Sequence, residues 1–278
     1  FGLFLLLISV PWTVFGQEQD TSQVRKAVAT PVEEAPQIDG VLDESVWRTA
    51  VTVGDFVQHE PAEGEPASEK TEVFLVYDTE NLYIGVMCYD QEPSQILVSE
   101  SERDSELTDT DAFWMVFDTF LDRQNGFVFG TNPMGLEYDA QVATEGQGGG
   151  GGRGRAGTRT TSSRGSGGGV NKNWDGSWEV AAGLNDEGWA AEFKIPFSTL
   201  RFNRSGNQVW GVNFARNIRR KNEQDYWSSV PRQWTLYRLT FAGELHGLEV
   251  EPPTNFKVTP YTIGSVQRDF QGNADGDT

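Results

Sequence analysis

The chain has 278 residues, with 41 Asp and Glu against 22 Lys and Arg, for a formal net charge of −19. A surface this acidic repels phosphate backbones and anionic lipid, which excludes nucleic acid as a partner, while the length is ample for a sizeable core. A single cysteine, Cys88, excludes a disulfide framework and reads as a small buried hydrophobe.

The apolar run Phe1–Val10, with Val14 and Gly16 at the −3 and −1 spacing of a signal-peptidase site, predicts a signal peptide over residues 1–16, clipped at its N-terminus, and hence export to the periplasm, outer membrane or beyond. Residues 17–35 read as a flexible leader. "PQIDGVLDESVW" (36–47) reads as an Asp39-Gly40 turn followed by a short helix over Asp43–Ala50, with Asp43 as N-cap and Trp47 pinned into a core.

From Thr71 the pattern has period two. "TEVFLVYD", "NLYIGVMCYD", "DAFWMVFD", "GFVFGTN" and "EYDAQVAT" are rich in Val, Phe, Tyr and Trp and are separated by Asp, Asn, Gly and Pro, so they predict strands. Residues 145–171 are a Gly/Arg/Ser-rich insert with four arginines (Arg153, Arg155, Arg159, Arg164), expected to be a disordered surface loop. The strands resume with "SWEVAAGL", "GWAAEFKI", "QVWGVNFARNI" and "LYRLTFAGELHGLEV", with a short helical stretch at Phe197–Leu200. The fold class is all-β, an antiparallel β-sandwich over residues 36–252, and residues 253–278 read as the start of a further, truncated β domain.

Catalytic motifs are scarce. His59 and His246 belong to no HExxH, and no G-x-S-x-G or P-loop occurs; both histidines read as surface or loop residues. Asp104, Glu106, Asp109 and Asp111 suit a solvated loop, a calcium site or a catalytic carboxylate pair, in that order. Of nine Trp, Trp47, Trp114, Trp189 and Trp210 fall in apolar patterns and read as core. Trp174, Trp178, Trp227 and Trp234 lie in polar, loop-like settings, where an indole can stack on the C–H face of a sugar.

Taken in order, "PQIDGVLDESVW", "TEVFLVYDTENLYIGVMCYD", "DAFWMVFDT", "GWAAEFKIPFSTLRF" with "WGVNFARNI", and "YWSSVP" resemble the family 9 carbohydrate-binding module. The closer resemblance is to the version that precedes an outer-membrane β-barrel region in large bacterial exported proteins. It implies a sugar-binding β-sandwich, non-catalytic itself, with structural calcium and an association with polysaccharide-degrading glycoside hydrolases. A sugar would be clamped between two Trp rings. Trp234 matches one clamp position; at the other stand Leu107 and Thr108, while Trp114 and Gly130 stand where the family has Glu and Arg. Within "DRQNGFVFGTNPMGLEYD", Arg123, Asn125, Asn132 and Asp139 are candidates for a replacement polar site, although Asn125-Gly126 and Asn132-Pro133 equally read as turns. The expected partner is a poly- or oligosaccharide; the alternative is a module that docks on its own C-terminal barrel.

Overall fold

A computed structural model of the chain describes residues 24–98, 107–146 and 169–253. The expected signal peptide, Asp104 and Glu106, the body of the insert and the C-terminal β segment lie outside the described residues.

In chain order the described residues form β1 (Lys26–Val28), β2 (Thr30–Pro31), the helix α1 (Ser45–Thr49), β3 (Thr52–Val53), β4 (Val57–Glu60), β5 (Thr71–Tyr77), β6 (Asn81–Tyr89) and β7 (Ala112–Asp118). There follow β8 (Gly126–Thr131), β9 (Tyr138–Val142), β10 (Val170–Asn171), β11 (Glu179–Asn185), β12 (Gly188–Pro196), β13 (Asn207–Ile218), β14 (Glu223–Tyr226) and β15 (Gly243–Glu249). The larger sheet runs β1, β15, β13, β7, β8, β9, β10, with β14 paired to β13 and β4 to β14; the smaller runs β11, β12, β6, β5, β2, with β3 on β5. Period two sends Phe113, Met115 and Phe117 of β7, with Trp210 and Phe214 of β13, inward against Ile84, Val86 and Phe193 of the smaller sheet. The fold is therefore the expected β-sandwich. Cys88 is buried within it, its thiol pushed up to about 12, chiefly by desolvation.

Four expectations need correction. The leader is strand from Lys26: β1 pairs parallel with β15 and β2 parallel with β5, so the sheets are mixed rather than wholly antiparallel. Ala27 and Ala29 are small enough to seal the core edge, and the Arg25 guanidinium donates to the carbonyls of Gly54, Asp55 and Trp227. The helix cap is Glu44 rather than Asp43, and its side chain makes no capping bond; the Glu44 carboxylate instead accepts from Gln37 N–H (2.8 Å) and from the side-chain Nε1–H of Trp47 (3.2 Å). Residues 197–200 form a turn, closed by Thr199 N–H to Pro196 O at 2.9 Å. His59 is buried, its ring 4.5 Å from that of Tyr226 and nearly parallel to it.

The "PQIDG…W" stretch crosses the outer face of the smaller sheet, and Glu192 of β12 explains it. Its Oε2 accepts from the N–H groups of Asp39 (3.0 Å) and Gly40 (2.9 Å), and its Oε1 from Trp47 Nε1–H (2.9 Å). Gly40 has φ +87°, and a Cβ there would stand 2.8 Å from the Ala182 carbonyl carbon, so only glycine brings both N–H groups to the carboxyl. Burial pushes the Glu192 carboxyl up to about 7 against the pull of these three donors. Glu192→Ala would take the acceptor from the Asp39 and Gly40 N–H groups and leave Trp47 Nε1–H only its longer bond to Glu44, at about 1–3 kcal/mol for each lost bond, so a loss of about 2–4 kcal/mol is expected in urea unfolding. A loss below about 1 kcal/mol would contradict this role.

Candidate functional site

The outer face of the larger sheet carries a second apolar cluster beneath residues 226–242, and where that cover ends lies an open cleft of ≈ 420 Å³. Its floor is one cross-strand row. Tyr226 of β14 pairs with Ala215 of β13, Ala215 with Trp114 of β7, Trp114 with Gly130 of β8, and Gly130 with Tyr138 of β9. Aromatic and small residues thus alternate across five strands. A Cβ on Gly130 would lie 2.4 Å from Trp114 Cδ1, so the indole lies over the missing side chain and stays half-exposed.

The walls fix this floor. Tyr226 Oη accepts from Leu236 N–H (3.2 Å) and donates to Gln224 Oε1 (3.2 Å), while His59 backs its ring from below; burial raises its phenol pKa. Tyr138 Oη lies 3.4 Å from Tyr237 Oη. Thr108, Lys172, Gln224 and Thr235 add polar groups at the rim. Among the described residues no Asp or Glu lines the cleft. A half-exposed indole among phenols, hydroxyls, one amide and one ammonium can stack against the apolar face of a polar ring and bond its edge.

The sequence candidates fall elsewhere. Trp227 is 2 % exposed, packed on Phe214 under the Arg25 guanidinium, and is core. Trp234 is half-buried beside the cleft wall, its ring covered by the Arg238 guanidinium at 4.2 Å, and Arg238 also pairs with Glu145 at 2.8 Å. Arg123 clasps the chain: its Nη1 donates to Ala242 O (2.9 Å) and Leu239 O (3.3 Å). Asn125 is exposed in the β7–β8 hairpin, its Nδ2 donating to Asp122 Oδ2 at 2.8 Å. Asn132 is buried, its Oδ1 accepting from Met134 and Leu136 N–H at 3.0 and 3.2 Å. Asp139, also buried, accepts from Trp178 Nε1–H (2.8 Å) and Gly176 N–H (3.1 Å) through Oδ2. None of these four lines the cleft: Arg123 and Asn132 hold backbone groups, Asn125 bonds the Asp122 carboxylate, and Asp139 holds the Trp178 indole and the Gly176 N–H. Trp178 packs on Phe129 within the core, and Trp174, half-buried, packs on Phe129 from outside it.

Trp114, read from its pattern as core, is instead the half-exposed ring at the cleft floor. Both faces of β7 are apolar, so alternation alone does not tell the inward from the outward set. Its register partner Gly130 was the available signal, since glycine inside a strand marks close approach.

Among the described residues no group of three or more His, Cys, Asp or Glu side chains is placed to hold a metal ion. The buried carboxyls of Asp111 and Asp225 have the Arg216 guanidinium as a neighbouring positive charge. Asp104 and Glu106, which the sequence groups with Asp109 and Asp111 as candidate calcium ligands, lie outside the described residues.

No protein-family model matches the sequence, and no curated protein does. Several solved structures are similar, including the following two. One is a carbohydrate-binding module of family 9 from Caldicellulosiruptor kristjanssonii in complex with cellotriose, at 14 % identity and a TM-score of 0.52, covering 86 % of this chain and 100 % of that one. The other, described as a candidate carbohydrate-binding protein, comes from Bacteroides uniformis ATCC 8492, at 11 % identity and a TM-score of 0.58, covering 81 % of this chain and 100 % of the other. At these identities the likeness shows the fold, a β-sandwich of the kind that family 9 carbohydrate-binding modules build.

Proposed function

We propose that the chain is a carbohydrate-binding module in which a sugar ring stacks on Trp114 at the floor of the outer-face cleft. The observation that carries this is the row Tyr226, Ala215, Trp114, Gly130, Tyr138: two small residues clear the space around one indole, and two phenols flank it. The flat apolar ring takes the C–H face of a pyranose, and the rim hydroxyls, Gln224 and Lys172 bond its hydroxyls. The cellotriose bound by one similar structure makes β-linked glucans the first ligands to try. The context we propose is an exported protein, on the strength of the Phe1–Gly16 stretch, serving polysaccharide capture in association with glycoside hydrolase activity.

Affinity electrophoresis of residues 17–253 through gels containing hydroxyethylcellulose, xylan or other plant and algal polysaccharides tests the reading. The wild type should be retarded by at least one of them. Gly130→Ala, which drives a Cβ into the Trp114 ring, should weaken that retention roughly tenfold while circular dichroism reports an intact fold. A folded wild type retarded by no glycan would overturn the proposal.

A further inference from the structure

A second concavity of ≈ 730 Å³ lies on the other side of the sandwich, on the outer face of the smaller sheet. Half of that face is covered by the Asp39–Leu42 turn and α1, with Trp47 packed on Val76 and Tyr83. The other half is bare. Its floor is Phe74, Met87 and Ala190, and Val41 and Leu184, 53 % and 54 % exposed, belong to the Asp39–Leu42 turn and the β11–β12 hairpin that flank it.

Both sides are held in place. The Asp39-Gly40 turn is bonded to the Glu192 carboxyl. The β11–β12 hairpin is tied by Glu187 O accepting from Asp90 N–H (2.9 Å), by Asn185 Oδ1 accepting from Glu187 N–H (2.9 Å), and by Asn185 Nδ2 against Met87 Sδ (3.7 Å). A trough with fixed walls costs little ordering when it is filled.

Two features decide what fills it. No flat aromatic face is free: Trp47 is buried, the Tyr89 ring lies under Lys70 Nζ at 4.8 Å, and Phe74 is half-buried against the turn and helix. The surface on offer is aliphatic and thioether, which suits protein side chains better than a sugar ring. The charge is one-sided: Asp39, Asp186 and Glu187 border the trough against Arg48, while Glu72 is already paired with Lys70 at 2.7 Å.

We propose that this trough docks an extended segment of another protein, one that presents aliphatic side chains flanked by Lys or Arg. Leu or Val side chains enter between Val41 and Leu184 over Met87, and the flanking cations pair with the acidic border.

The protein has three methionines, and they make a site-specific test. Met87 lies in the trough, Met115 is fully buried between the sheets and Met134 is 61 % exposed away from it. The protein, labelled with ¹³C at the methionine methyls, is titrated with an acetylated heptapeptide of alternating Leu and Lys, with its Leu/Glu counterpart, and with cellotriose. The Met87 resonance should shift saturably with the Leu/Lys peptide alone, more weakly in high salt, and not at all in Leu184→Asp, while Met115 and Met134 stay still. A static Met87, an equal shift at Met134, an equal response to the Leu/Glu peptide or a response to cellotriose would each overturn the proposal. The outcome is independent of whether the Trp114 cleft binds sugar.

Discussion

Trp114→Ala is expected to lower affinity for the retained glycan on the order of 10- to 100-fold, while Trp234→Ala changes it less than about threefold. Trp114 is half-exposed at the centre of the cleft floor, so its removal deletes the stacking face. The Trp234 ring is already covered by Arg238 at 4.2 Å, and its truncation disturbs a wall. Isothermal titration of the two variants against wild type separates them. A large loss at Trp234 with none at Trp114 would mean that the family's clamp position works here and that the row across β7, β8 and β9 is only packing.

Arg216→Met is expected to cost the fold about 3–5 kcal/mol, because removing one partner of a buried charge group strands the others. Arg216 is fully buried on β13; its Nη1 donates to Lys70 O (2.9 Å) and Thr71 Oγ1 (3.2 Å), and its Nη2 to Tyr89 O (2.7 Å). These bonds join the larger sheet to β5 and β6 of the smaller one at one end of the sandwich. Next to it Arg220 pairs with Asp90 (2.5 Å) and Glu69 (3.1 Å), and Lys221 with Glu69 (2.6 Å). Methionine keeps an apolar stem but removes the donors to Thr71 Oγ1 and Tyr89 O, leaves Lys70 O with the Tyr89 N–H, and takes the Arg216 guanidinium away from the Asp111 and Asp225 carboxyls. A loss under about 1 kcal/mol in guanidinium unfolding would contradict this.

The same end of the sandwich sets a pH dependence. Burial, and then the adjacent Glu223, push the Asp225 carboxyl from its ordinary 3.8 up to about 8. Between those values the folded chain holds a proton that the unfolded chain has released. The stabilisation is therefore complete below about pH 4 and is lost as pH rises through about 8. Glu192, raised from 4.5 to about 7, acts in the same sense. Thermal midpoints should fall between pH 5 and pH 8.5, and Asp225→Asn should flatten that fall; a midpoint that rises over the range would contradict it.

The strands were legible because Val, Phe, Tyr and Trp at period two, broken by Asp, Asn and Gly, say where a pleated surface begins and ends. Which face of a strand looks into the core was not. In β7 Phe113, Met115 and Phe117 go in, while Trp114 and Val116 go out under other cover, and both sets are apolar. The turn-helix reading of Pro36–Trp47 was sound in outline, yet its reason is Glu192, whose distance along the chain no local pattern bridges. Arg123, Asn125, Asn132 and Asp139 have the chemistry of a sugar site, yet each has a partner within the fold and none lines the cleft, which no local pattern shows. The leader looked flexible because Lys26–Val28 is too short to show a period; its pairing with β15 is made across nearly the whole chain.

The most direct test of the stacking platform is the indole N–H spectrum of ¹⁵N-tryptophan protein, with Trp114 assigned through Trp114→Phe, during titration with a glycan that retards it. The Trp114 resonance should move most among the nine and saturate at the affinity found calorimetrically. Saturable binding that leaves Trp114 still while another indole moves would place the sugar elsewhere on the sandwich and contradict the assignment.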